Sequence, residues 1–91
     1  MEMIRLRTTE GHLERAADLL LDAARHVAGE DGLVRVHMYD NASFQTDLAL
    51  SLTWDTNSPD HRGSRAALSI SDTLRNFGLV EHSIWLEKGA R

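Results

Sequence analysis

His37 and Tyr39 stand two residues apart in an alternating segment, Leu33 to Asp40, so an extended backbone turns both to the same side. An imidazole beside a phenol supplies a general base and an orienting hydroxyl, the pair that a phenol or quinol needs if it is to lose a proton. Arg5, Arg7 and Arg35 fall on the matching side of two strands and offer the paired N–H donors that hold a carboxylate or an enolate oxygen. Ser51, Ser83 and Trp85 add two hydroxyls and an aromatic wall. Each of these residues also has a plain structural use. His37, Tyr39 and Trp85 fill subunit joints well, and the arginines can pair with Asp47 or Glu81 across strands or between subunits.

Other chemistries lack their residues. The chain has no cysteine, and its five histidines show neither H-x-H nor H-x-x-x-H spacing, which argues against a preformed metal site and against disulfides, and for a reducing compartment. There is no G-x-S-x-G, nucleotide fingerprint or catalytic triad, and the single glycine of Gly63-Ser64 reads as a helix cap. Trp54 has the parity of Leu48, Leu50 and Leu52, which places it under a helix unless a bulge turns it outward. His82 shares the parity of Val80 and Ile84 and reads as a hydrogen-bonded core or edge histidine. The net charge of -4 is spread over interspersed acids and bases, which excludes nucleic acid and an anionic membrane as partners. Charges interrupt the apolar residues of Met1 to Arg7, and no apolar run approaches the roughly 18 residues of a membrane span, so the expected location is the cytoplasm.

The 91 residues suit one domain, 1–91, with a modest core. Glu2 to Thr8 alternates, with Ile4 and Leu6 opposed to Met3, Arg5 and Arg7, and predicts a first strand. Thr8 and Thr9 are N-cap types ahead of a helical stripe of Leu13, Ala16, Ala17, Leu20, Ala24 and Val27, and Gly29 to Gly32 should end that helix with a glycine C-cap. Leu33 to Asp40, with Val34, Val36 and Met38 on its apolar side, and Thr46 to Trp54 form a hairpin around Asp40-Asn41-Ala42-Ser43. Ser58-Pro59-Asp60 predicts a short turn, and Ser64 the N-cap of the main second helix, whose stripe is Ala67, Ile70, Leu74 and Phe77. Gly78 should be its C-cap, followed by a last strand from Leu79 to Glu87. The resulting fold class is α+β and ferredoxin-like, a βαββαβ chain with a four-stranded antiparallel sheet and both helices on one face. The opposite face then carries arginine, histidine, tyrosine and tryptophan, and this mixture predicts a homodimer with room for a small-molecule ligand at the joint.

The βαββαβ order over the whole chain, Gly32-Leu33-Val34 leading into the second strand and Leu50-Ser51-Leu52-Thr53-Trp54 closing the third resemble the dimeric α+β barrel superfamily, and within it the antibiotic biosynthesis monooxygenase-like proteins. The resemblance implies a homodimer built by packing sheets into a barrel. It also implies a cofactor-independent monooxygenase acting on an aromatic or quinone-like compound taken up between sheet and helices. A non-catalytic ligand-binding or structural dimer is the alternative. On this reading His37 is the base, Tyr39 and Ser51 orient the substrate, and Arg5 or Arg35 stabilises oxyanion charge. The pattern departs from the family at Leu52, where a glutamate commonly precedes the tryptophan by two positions. Haem-degrading members carry an asparagine on the first strand, where this chain has none, and Trp54 is followed closely by His61, so haem degradation is not implied.

Overall fold

The computed structural model describes residues 1–55 and 62–89, and the turn expected at Ser58-Pro59-Asp60 lies outside them. The chain runs β1 (Glu2–Arg7), α1 (Glu10–Val27), β2 (Leu33–Asp40), β3 (Asp47–Trp54), α2 (Arg65–Leu74) and β4 (Leu79–Ile84). The strands form one antiparallel sheet in the order β2-β3-β1-β4, the ferredoxin-like arrangement expected from the alternation. None of the helices among the described residues is long and apolar enough to cross a membrane.

The two central strands supply the floor of the core. Ile4 and Leu6 of β1 and Leu48, Leu50 and Leu52 of β3 are buried, and above them lie Ala16, Leu20 and Val27 of α1 with Ala67 and Leu74 of α2. Alanine at the facing positions Ala16 and Ala67 lets the helix backbones sit close to the sheet. Ser64 caps α2 as its residue type predicts, its hydroxyl accepting from the Ala67 N–H at 3.1 Å.

Five local expectations are corrected, the last of them at Gly78. Thr9 is the N-cap residue of α1, but its hydroxyl meets His12 Nδ1 at 2.9 Å instead of capping the helix. Helix α1 closes on Ala28 in a right-handed conformation, and the left-handed glycine is Gly32, at the turn into β2. A register shift between Leu33 and Arg35 makes a bulge at Val34, which stands 55% exposed because β2 is an edge strand and its apolar side extends past the helix cover. Strand β4 ends at Ile84, short of Glu87, and Leu86 is exposed.

Gly78 follows a right-handed cap at Arg75 and does not take the left-handed conformation of a C-cap glycine. Its small size is used for a crossing. The turn after α2 is drawn onto the end of β1, where Thr8 Oγ1 donates to the Phe77 carbonyl at 2.6 Å. A Cβ on Gly78 would lie 2.1 Å from the Arg7 carbonyl oxygen and 3.1 Å from Thr8 Cα, both backbone atoms. Gly78→Ala is therefore expected to lower stability by about 1–3 kcal/mol, the usual cost of overpacking. Gly11→Ala, in open space on α1, is expected to be neutral or to stabilise by up to about 1 kcal/mol. Urea unfolding midpoints of the two variants check the contrast.

Candidate functional site

The sheet register decides which polar side chains meet on the face opposite the helices. One cross-strand row is Tyr39, Ala49, Arg5 and Glu81, and the next is His37, Ser51, Met3 and Ser83. A cleft of about 480 Å³ opens on this face, with Met3, Arg5, Tyr39, Glu81, Ser83 and Trp85 among its walls. Four of the residues singled out in the sequence, Arg5, Tyr39, Ser83 and Trp85, thus come together.

His37 and Ser51 stand behind Tyr39. The Tyr39 hydroxyl lies 3.4 Å from His37 Nδ1, and Ser51 Oγ donates to the same hydroxyl at 3.5 Å, long contacts that make Tyr39 the member of the group reaching the cleft. Ser51 is buried although it belongs to the open face, because Tyr39 and Met3 flank it. Arg35 lies opposite Thr53 near the end of the sheet and does not line the cleft. Arg7 turns to Asp47 and donates through Nε at 3.0 Å and Nη2 at 3.1 Å. These bonds hold the Asp47 carboxyl below its ordinary value, outweighing its desolvation, with the nearby charges of Arg7 and Arg5 assisting. Arg5 shares its charge with Glu81 at 3.6 Å in an exposed, screened pair. Trp85 is 58% exposed in the single chain and donates through Nε1 to Ser83 Oγ at 2.8 Å, so it extends over the cleft as an uncovered apolar wall. Among the described residues, no group of three His, Cys, Asp or Glu side chains comes together in a metal-binding arrangement.

A second polar cluster lies on the helix side, built around a residue passed over in reading the sequence. Glu2 has the parity of Ile4 and Leu6 and is 3% exposed beneath α2. Its Oε2 accepts from Trp54 Nε1 at 2.7 Å and from Ser64 Oγ at 2.6 Å. Its Oε1 accepts from the Ser64 N–H at 2.7 Å and lies 3.0 Å from His82 Nε2. Gly63, at φ 93°, brings the loop backbone so close that a Cβ there would sit 2.2 Å from His82 Cε1 and 2.8 Å from Glu2 Oε1. The readings of Trp54 under the helices and of His82 as a hydrogen-bonded core or edge histidine hold in this arrangement, His82 standing on the edge strand β4. The available signal was the alternation itself, which puts a carboxylate on the core side of β1. Leu52, where the resemblance has a glutamate, is the cross-strand partner of Glu2, so a carboxylate within reach of Trp54 is present from the neighbouring strand.

Burial pushes the Glu2 carboxyl up, but the side-chain and backbone hydrogen bonds of Ser64, then those of Trp54 and His82, outweigh it and hold the group below its ordinary value of 4.5. A carboxyl that is more acidic in the folded than in the unfolded chain adds stability above pH 4.5, and that stability is lost as pH falls through the folded-state value. Glu2→Gln places an amide N–H₂ among donors and is expected to cost about 1–3 kcal/mol at neutral pH. It should also flatten the acid limb of the stability profile. Urea titrations of both proteins between neutral pH and the acid limb check this.

No protein-family profile matches the chain, and no curated protein does. Solved structures do match it. A candidate antibiotic biosynthesis monooxygenase from Deinococcus radiodurans superposes with a TM-score of 0.78 at 17% identity, over 99% of this chain and 93% of that one. A mutant of SnoaB, a cofactor-independent oxygenase from Streptomyces nogalater, gives 0.72 at 18% identity over 98% of this chain and 93% of that one. A conserved protein from Methanosarcina mazei Go1 gives 0.74 at 14% identity, with 96% and 91% covered. At such identities the likeness is one of fold, and the chain has the βαββαβ fold of the antibiotic biosynthesis monooxygenase structures.

Proposed function

We propose that this chain acts as a homodimer whose open sheet faces close on each other, and that the enclosed cleft binds an aromatic or quinone-like compound and oxidises it with dioxygen without a cofactor. The observation that carries this reading is the cleft of about 480 Å³ walled by Tyr39 and Trp85 on the face opposite the helices. The fold shared with SnoaB, a cofactor-independent oxygenase, supports it. A cleft of this size suits a planar ring system, and stacking on Trp85 favours an aromatic one.

In this mechanism the substrate hydroxyl bonds to Tyr39, and His37 takes up the proton through the phenol. Ser51 holds the Tyr39 hydroxyl in place. Arg5 exchanges Glu81 for the developing oxyanion as the second subunit excludes water and strengthens the attraction. Arg35 lies farther along the sheet, outside the cleft walls, and takes no part in this step. A hydroquinone so deprotonated is electron-rich enough to pass two electrons and its second proton to dioxygen, which takes the proton held by His37 and leaves as hydrogen peroxide while the substrate leaves as the quinone. The length of the His37–Tyr39 contact, 3.4 Å, favours the second reading, a dimer that binds such compounds without turning them over.

Light scattering on a sizing column is expected to give twice the 10.2 kDa chain mass. Met3→Arg, which puts a cation in the middle of the open face, is expected to yield monomer. Oxygen uptake with a model hydroquinone is expected in the wild type and should fall about 10²-fold or more in His37→Ala. Saturable binding without uptake would establish the binding reading, and a monomer that neither binds nor consumes oxygen would overturn both.

A further inference from the structure

The Glu2 carboxylate lies on the side of the sheet away from the cleft, and it joins β1 to three other segments: the end of β3 through Trp54, the start of α2 through Ser64, and β4 through His82. We infer that this carboxylate is an acid-operated clasp. While ionised it seats the N-terminus of α2 and the Trp54 indole on one corner of the sheet, and its protonation opens that corner while the rest of the sheet stays folded.

The geometry of the acceptors makes the clasp selective for the ionised form. The Trp54 indole and the Ser64 backbone can only donate, and one of them occupies each carboxylate oxygen. Ser64 Oγ donates to Oε2 while accepting from the Ala67 N–H, and to receive a Glu2 hydroxyl it would have to give up that donation. His82 Nε2, 3.0 Å from Oε1, completes the set of partners. The positive end of the α2 dipole also favours the anion at this place and loses that attraction on protonation. Among the described residues, few ionisable groups lie around the carboxylate. Strand β4 presents His82, β3 presents the neutral Leu52 and Trp54, and on the α2 side the nearest cations in sequence are Arg62 and Arg65, either side of Gly63 and Ser64.

Two features make the opening local. Glu2 is paired with Leu52 and Ile84 at the terminal positions of both β1 ladders, so its corner can part without breaking the register farther along. Ile4, Leu6, Leu48, Leu50, Leu20 and Leu74 form a buried cluster that does not depend on the carboxylate. Gly63 lies against His82 and Glu2, so the backbone just before α2 is held at the same corner in the closed form.

The test uses Trp85→Phe, which leaves Trp54 as the single indole of a chain with two tryptophans. Its emission, and amide exchange at Ala67 and Leu68 in the first turn of α2, are followed from neutral pH into acid beside exchange at Ile4 and Leu50. The expected result is a red shift of Trp54 and loss of protection at Ala67 and Leu68 with a midpoint below 4.5, while Ile4 and Leu50 stay protected to lower pH. Ser64→Ala removes one donor and should move that midpoint upward, toward 4.5. His82→Gln, which keeps a donor that does not titrate, should retain the transition. One common midpoint for all four amides, a Ser64→Ala midpoint that stays or falls, or a transition abolished by His82→Gln would each overturn the proposal.

Discussion

The Glu2 carboxylate, removed from water between β1 and the start of α2, stays ionised only as long as enough donors reach it. An unpaired charge in such a place would cost many kcal/mol, and a hydrogen bond to a charged group returns roughly 1.5–3 kcal/mol, so several donors must converge. They come from residues 54, 64 and 82, and each fixes something else. The Trp54 indole is aimed inward at the end of β3. Ser64 is held in the extended conformation from which it caps α2, and His82 is turned to the helix side of the sheet on edge strand β4. Gly63 has a positive φ and passes within contact of the pair, and both features call for glycine.

The opposite face obeys a different balance. Its Arg5–Glu81 pair lies in water, where it adds little to stability and can be exchanged. Arg7–Asp47 is better made, with two parallel bonds, and helps hold the hairpin end against β1. Between them the cleft offers apolar walls, Met3 and Trp85, that the single chain does not cover. The protein thus keeps a dry, fully bonded polar cluster under the helices and a loosely bonded one outside. Rigidity belongs to the first and ligand exchange suits the second.

Sheet and helices of this kind host many chemistries, so the fold by itself names no substrate. Leu52 illustrates the point at the level of one residue. The position lacks the glutamate of the resembled family, yet its cross-strand neighbour carries one, so an interaction absent from one strand is present from the next. Comparing residues position by position would miss this, since pairing in a sheet joins residues 50 apart in the chain.

Sequence alone determined the elements and their faces, because both are set by short-range periodicity and capping. Ile4, Leu6, Leu48, Leu50 and Leu52 were legible as core from alternation, Ser64 as a cap from its type and position, and Arg5, Tyr39, Ser83 and Trp85 as one polar face from parity. Tertiary structure decided what those faces meet. Val34 left the core through a bulge on an edge strand, Thr9 gave its hydroxyl to His12, and Gly78 proved to be a crossing point with β1. Which of the polar-face residues line the cleft and which stand behind Tyr39 followed from strand register. The environment of Glu2 was the least legible, since its partners lie up to 80 residues away and are brought together only when sheet order, register and the seating of α2 are all in place.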